Sequence, residues 1–308
     1  MACKSVEYSS INLHLKFQSC TLENSLIFTE YMKIKIAAVQ MEIIPWNLQA
    51  NYEKIKQYFI VAENHKCNFI CFPEECWVGL KYTEKRENEV ADFVKDRVSK
   101  LAKHHNLHVV AGSFVEHHTH DRIAKHSHNF CYLFGPKGEV MGRYAKRHPV
   151  PSLEQEITAG HSHRVFDTEY GKIGIQICRD ILYPETTKIT ANLGAKIIFS
   201  PAFWFKYTSA WDETASNKKY HANSELRAIK YLVPARAIEN EVIVAFVNAA
   251  GEFKSPLQQF TLLGYTQIAQ PFSGPIKVFK HNREKILLQT IDTSVIEQAR
   301  IGWRIRGN

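Results

Sequence analysis

Gly171 to Glu185 reads GKIGIQICRDILYPE. Ile173, Ile175 and Ile177 alternate at a period of two, and Cys178 follows the last of them. That period turns one face of a strand into a core. Pro184 stands where the first turn of a helix accepts a residue without an N–H. The stretch is therefore a strand, a sharp turn bearing a thiol, and the start of a helix. Backbone N–H groups at such a turn can stabilise a thiolate and an oxyanion. Taken alone, the commoner reading of Cys178 is a small buried hydrophobe, as most free cysteines are. Two other stretches decide against it.

Toward the N-terminus, Lys33 to Met41 is a buried strand that opens the working domain near Met32. Asn47 to Lys66 spaces Leu48, Tyr52, Ile55, Phe59 and Ala62 as one helix face, with Asn47 as its cap. Cys67 to Phe72 is a short strand running into Pro73, Glu74 and Glu75. A second helix is expected over 87–105 and a strand over 107–115, with EHHTHDRIAKHSH after it as a polar loop. Asn129 to Phe134 and Glu139 to Tyr144 form a hairpin, followed by the irregular YAKRHPVPSLEQEITAG. Beyond Cys178 come a helix to Leu193, a strand from Ala195 to Ser200, a long helix over 219–240 and an apolar strand from Glu241 to Asn248. Two strands near 264–269 and 285–291 close the domain. Strands interleaved with helices, without repeats or linkers, predict sheets covered by helices in one domain.

The chain has 308 residues, 45% hydrophobic and 23% charged, enough for a full core. No apolar run reaches the ~18 residues of a membrane span, so no membrane partner is expected. The net charge is +8, but the basic residues are scattered and lack interleaved aromatics, which argues against a nucleic-acid partner. Seven irregularly spaced cysteines and no secretory pattern predict reduced thiols in a cytoplasmic protein. Residues 1–31 show weak periodicity and read as an N-terminal extension of unassigned role.

Glu74, Lys146 and Cys178 each follow a predicted strand, where a sheet presents side chains to a cleft. A Cys nucleophile needs a base, and a developing oxyanion needs a cation or donors. Glu and Lys supply both without a histidine. These segments resemble the carbon–nitrogen hydrolases of the nitrilase superfamily, from about Lys33 to Ile291. IAAVQM is similar to the family's opening strand, Phe72-Pro73-Glu74 to its glutamate motif and Tyr144 to His148, YAKRH, to its lysine motif. IGIQICRDILYPE is similar to its nucleophile elbow, and RAIENEVIVAFVNAAG to its late helix–strand pair.

The resemblance implies a four-layer α-β-β-α sandwich over 32–295, with 296–308 as a C-terminal tail. Glu74 would be general base and then acid, Cys178 the nucleophile, and Lys146 with the Arg179 backbone N–H the oxyanion holders. Glu154 would position lysine and substrate, although Glu156 stands two residues away. Burial of Glu74 and the charge of Lys146 would narrow the gap between a carboxylate and a thiol and favour thiolate. The family also implies no cofactor and a homodimer paired through 184–193 and the segment beyond Ile291.

Two other readings were weighed against this one. A metal site would draw on His117, His118, His120, His126 and His128, with His161 and His163 nearby, but their spacing lacks a zinc pattern, so none is expected. A non-catalytic binding module on the same fold would be free to lose Glu, Lys or Cys, and all three are present. Nitrile hydrolysers of the family typically carry Trp-Glu-Asn after the nucleophile, whereas Arg179-Asp180-Ile181 stands here. A small amide or N-carbamoyl amine is therefore the expected substrate, with a nitrile as the alternative. Phe203, Trp204 and Tyr207 are candidate walls of the acyl pocket, or core packing of a loop. Arg179 and Arg147 are candidate contacts for an anionic group.

Overall fold

Lys33–Gln40 forms β1, and its apolar side chains divide between two hydrophobic clusters. Ile34, Ile36 and Ala38 enter one cluster, Ala37 and Val39 the other. A strand covered on both faces needs apolar residues at successive positions, and IAAV supplies them. The computed structural model describes residues 31–80, 84–121, 124–206 and 223–306, without the side chains of 84–86 and 118–126.

The first sheet has the order β15 (Lys285–Asp292), β1, β2 (Phe69–Cys71), β3 (His108–Asp121), β4 (Ala124–Phe134), β5 (Val140–Ala145). Its β1, β2 and β3 run parallel, and the others pair antiparallel. The second sheet has the order β14 (Gly274–Val278), β13 (Gln267–Gln270), β10 (Ile243–Asn248), β8 (Ile197–Ala202), β7 (Gly171–Ile175), β6 (Val165–Thr168). There β10, β8 and β7 are the parallel strands. A small third sheet joins β11 (Glu252–Lys254), β12 (Gln259–Leu262) and β9 (Phe205–Lys206).

Helices α1 (Leu48–Asn64) and α2 (Glu84–His105) cover the outer face of the first sheet through Ile55, Phe59, Val90 and Val94. Helices α3 (Pro184–Asn192) and α4 (Ser224–Glu239) cover the second through Ala191, Ile229 and Val233. Between the sheets lie Ile36, Phe69 and Cys71 on one side and Ile173, Ile175 and Phe199 on the other. The result is the expected four-layer sandwich. Asn47 caps α1, its side chain accepting the Ala50 N–H at 3.0 Å.

Several expectations shift. The presumed loop after Val115 is a continuation of β3 and β4, an antiparallel ribbon pairing Glu116 with His128 and Asp121 with Ala124. Its polar residues hide the strand because backbone pairing needs no apolar alternation. The C-terminal tail expected from 296 begins inside a helix, α5 (Ser294–Gly302), whose Ile296 and Ala299 are buried. Beyond it, the Arg306 guanidinium donates to the Ala191 carbonyl at 2.6 Å. The extension expected over 1–31 lies, apart from Tyr31, outside the described residues, as does Tyr207. No helix among the described residues is long and apolar enough to cross a membrane.

Candidate active site

Three side-chain positions lie just beyond the carboxyl ends of parallel strands, where open α/β sheets form crevices. Glu74 follows β2, Cys178 follows β7 and Phe203 follows β8. The Glu74 loop lies tight against β3. There Gly112 has φ +71°, and a Cβ on it would come within 2.3 Å of the Pro73 carbonyl. Lys146 directly follows β5, anchored by its N–H to the Asn129 carbonyl at 2.9 Å.

These residues converge. The Lys146 ammonium, 1% exposed, donates to Glu74 Oε1 at 2.8 Å and to Glu154 Oε2 at 2.7 Å. Asn129 Nδ2 donates to the same Glu74 oxygen at 3.0 Å and to Glu154 Oε1 at 3.2 Å. The other Glu74 oxygen accepts the Phe203 N–H at 3.0 Å. The Cys178 thiol neighbours the Glu74 carboxylate closely enough for each to shift the other's titration. Glu154 is buried and Glu156 is exposed, so geometry separates the two candidates.

Cys178 opens a short 3-10 helix, Cys178–Leu182, with φ +49°, a left-handed conformation costly for a side chain with a Cβ. The N–H groups at the start of such a turn have no acceptor inside it. Asp180, fully buried, ties this elbow to the lysine loop. It accepts the Ile177 N–H at 2.9 Å, the Tyr144 hydroxyl at 2.8 Å and the His148 N–H at 3.0 Å. His148 Nδ1 approaches it at 2.7 Å, and the imidazole stacks on Tyr183 at 3.6 Å. Tyr144 and His148 flank Lys146 at two residues on either side, so one carboxylate clamps both arms of its loop.

Burial raises the Glu74 pKa, and the Lys146 charge opposes that rise only in part. Burial works against the Lys146 ammonium, but the Glu154 and Glu74 carboxylates hold it well above an ordinary lysine. Burial, then the Glu74 charge, pushes the Cys178 thiol well up despite Lys146. The direction runs against the expected thiolate: desolvation and a neighbouring anion outweigh one cation and favour the thiol form.

Glu75, next to Glu74, is 1% exposed at φ +55°, and among the described residues its Oε2 has no hydrogen-bond partner. Burial, then the charges of Glu74 and Glu154, raises its pKa well above the usual range. Asn129, Asp180 and Glu75 carry no sequence signal of their own. Asn129 lies inside β4, just before the apolar run Phe130 to Phe134, and only its alternation toward the sheet interior hints at a role.

Phe203 and Trp204 line a cleft of about 250 Å³ at Cys178, together with Val150, Leu153, Leu182 and Phe205. Arg179 and Glu225 also border it. Arg147 lies elsewhere, its Nη1 reaching the Gly160 carbonyl at 3.4 Å. Among the described residues no group of three or more His, Cys, Asp and Glu side chains is placed to hold a metal ion. The side chains of His118, His120 and His126 lie outside the description.

The model of the carbon–nitrogen hydrolase family matches residues 35–301. This chain belongs to that family. Among its relatives is the omega-amidase NIT2-A of Xenopus laevis, 26% identical over 283 residues, covering 87% of this chain and 92% of that protein. The probable hydrolase YhcX of Bacillus subtilis is 28% identical over 292 residues. This carbon–nitrogen hydrolase chain spans about half of that relative, 52% of its length. In fold, it is similar to a carbon–nitrogen hydrolase from Helicobacter pylori, with a TM-score of 0.77 at 21% identity over 89% of this chain and 94% of that one.

Proposed function

We propose that this carbon–nitrogen hydrolase cleaves a small linear amide through a thioester on Cys178. The observation that carries the reading is the buried Glu74–Lys146–Glu154 network set against a neutral thiol. Three charged groups held out of water without structural necessity point to chemistry more than to stability. An omega-amidase among the relatives favours an amide over a nitrile.

Glu74 takes the thiol proton as the sulfur adds to the amide carbon, so no free thiolate has to accumulate in a buried site. The burial that raises the thiol also raises Glu74, which makes it a stronger base than a solvated carboxylate. The carbonyl oxygen becomes an oxyanion held by the Lys146 ammonium and the Arg179 backbone N–H. Glu74 then gives its proton to the leaving nitrogen, the C–N bond breaks, and a thioester remains. Water enters, Glu74 removes its proton, and collapse of the second tetrahedral intermediate returns the proton to sulfur. Glu154 and Asn129 keep Lys146 and Glu74 aligned through both halves.

The test is a screen of small amides for ammonia release, followed by mass spectrometry of the protein quenched during turnover. Cys178→Ala should lose both the acyl adduct and turnover. Glu74→Gln, which keeps volume, should lose roughly 10²–10⁴-fold in rate. The two losses should not add, because both disable the same step. Near wild-type turnover by Glu74→Gln overturns the assignment.

A further inference from the structure

The cleft at Cys178 is apolar along most of its wall, yet two opposite charges border it. The Arg179 guanidinium donates Nη1 to the Pro149 carbonyl at 3.1 Å and lies 5.3 Å over the Tyr183 ring. Neither contact neutralises it. The Glu225 carboxylate receives the Ser224 hydroxyl at 2.8 Å, which orients it without supplying a charge. Among the described residues neither group has a counter-ion within 4.0 Å, and they do not pair with each other. Two oppositely charged residues that border one small cleft, neither with an ion-pair partner among the described residues, leave a place for a molecule that meets both.

We propose that the cleft takes an amide whose acyl chain ends in both an ammonium and a carboxylate, the side-chain amide of an amino acid. This rests on the amide-hydrolysis reading and names its substrate class. The carboxylate lies on Arg179, the ammonium on Glu225, and the apolar wall of Leu153, Leu182 and Phe203 holds the methylenes between them and the carboxamide. A cleft of about 250 Å³ has room for so short a chain. An amide bearing only a carboxylate gains at Arg179 and is repelled by Glu225; a neutral alkyl amide gains at neither. In the reaction, sulfur adds to the carboxamide carbon, ammonia leaves with the Glu74 proton, and water releases the amino dicarboxylate and restores the thiol.

Four matched amides separate the terms: glutamine with both charges, glutaramate with the carboxylate only, 4-aminobutanamide with the ammonium only, and butanamide with neither. Each charge removed should lower kcat/KM about 10-fold, the worth of one charge-assisted contact. Glu225→Gln should erase the advantage of glutamine over glutaramate and raise glutaramate turnover, because the repulsion at Glu225 is gone. Calorimetric binding of the same four to Cys178→Ala reads the preference without chemistry. Glutamine binding tightest there while no amide is hydrolysed supports the pocket and overturns the hydrolytic reading. Hydrolysis with glutaramate or butanamide preferred keeps the amidase and overturns the zwitterion. Failure of all four to bind Cys178→Ala at millimolar concentration also overturns it.

Discussion

Replacing Lys146 with Met removes the one cation between two buried carboxylates and keeps a side chain of similar length. The ammonium lies 2.8 Å from Glu74 and 2.7 Å from Glu154. At an effective dielectric of about 20, each contact carries roughly 6 kcal/mol of gross attraction. Most of that is offset by taking the ions out of water. Removing one partner of such a buried arrangement costs about 3–5 kcal/mol, a large share of the ~5–15 kcal/mol that holds a domain together.

The loss depends on pH in a stated direction. In wild type the raised Lys146 pKa contributes stability throughout the range below lysine's ordinary ~10.4. In Lys146→Met the orphaned Glu74 carboxylate, raised by burial and now without its cation, holds a proton that the unfolded chain releases above about 4.3. The variant therefore loses about 1.4 kcal/mol per pH unit for each proton so held, as pH rises from there. Urea unfolding at pH 5, 6, 7 and 8 should show a gap to wild type that is narrow at pH 5 and widest at pH 8. A gap below about 1 kcal/mol at pH 8, or one independent of pH, would refute a shared buried network.

Asp180→Asn keeps the volume of the elbow clamp and loses an ionic acceptor; it should cost about 1.5–3 kcal/mol. By loosening the Lys146 loop it should also lower kcat about 100-fold with little change in KM, and an unchanged kcat would show that the clamp is structural only. Glu75→Gln should stabilise the protein, because the folded state binds a proton at Glu75 that the unfolded state releases above about 4.3. Wild-type stability should fall with pH from that point up to the raised folded value, and the variant's advantage should grow over the same window; parallel denaturation curves would disprove it. A second copy of the chain is expected over the exposed Ile189, Leu193, Ile301 and Trp303. Light scattering should give twice the chain mass, falling to one chain in the Ile301→Asp, Trp303→Asp variant, whereas a single-chain mass for the unaltered protein overturns the pairing.

The elements that set the fold were legible where burial on one or two faces imposes a period. β1, α1, β7 and the hairpin around Gly135 to Gly138 are of that kind; Lys146 and Cys178 follow two of them, and Glu74 follows the short apolar β2. What escaped is what depends on neighbours far along the chain. Asn129 becomes part of the site because β4 lies beside β3 and faces the Glu74 loop. Asp180 lies inside a quoted motif, yet its bonds to Tyr144 and His148 exist only once the two sheets meet. The extended ribbon of β3 and β4 is invisible to a period of two because its outer residues are polar. The protonation of Cys178 is not legible in the sequence, because charge can be read there and desolvation cannot.

The site is split along the seam of the sandwich. Asn129 belongs to the first sheet and Glu74 and Lys146 directly follow its strands, whereas Cys178 and the Phe203 amide follow strands of the second. Neither half holds a complete reaction centre, so turnover acts as a strain gauge on the docking of one sheet against the other. Shaving a seam residue remote from the chemistry, such as Phe69 or Ile175, should slow the enzyme before it unfolds it. On warming, activity should fade ahead of the loss of secondary structure, as each sheet stays intact while its partner begins to slide.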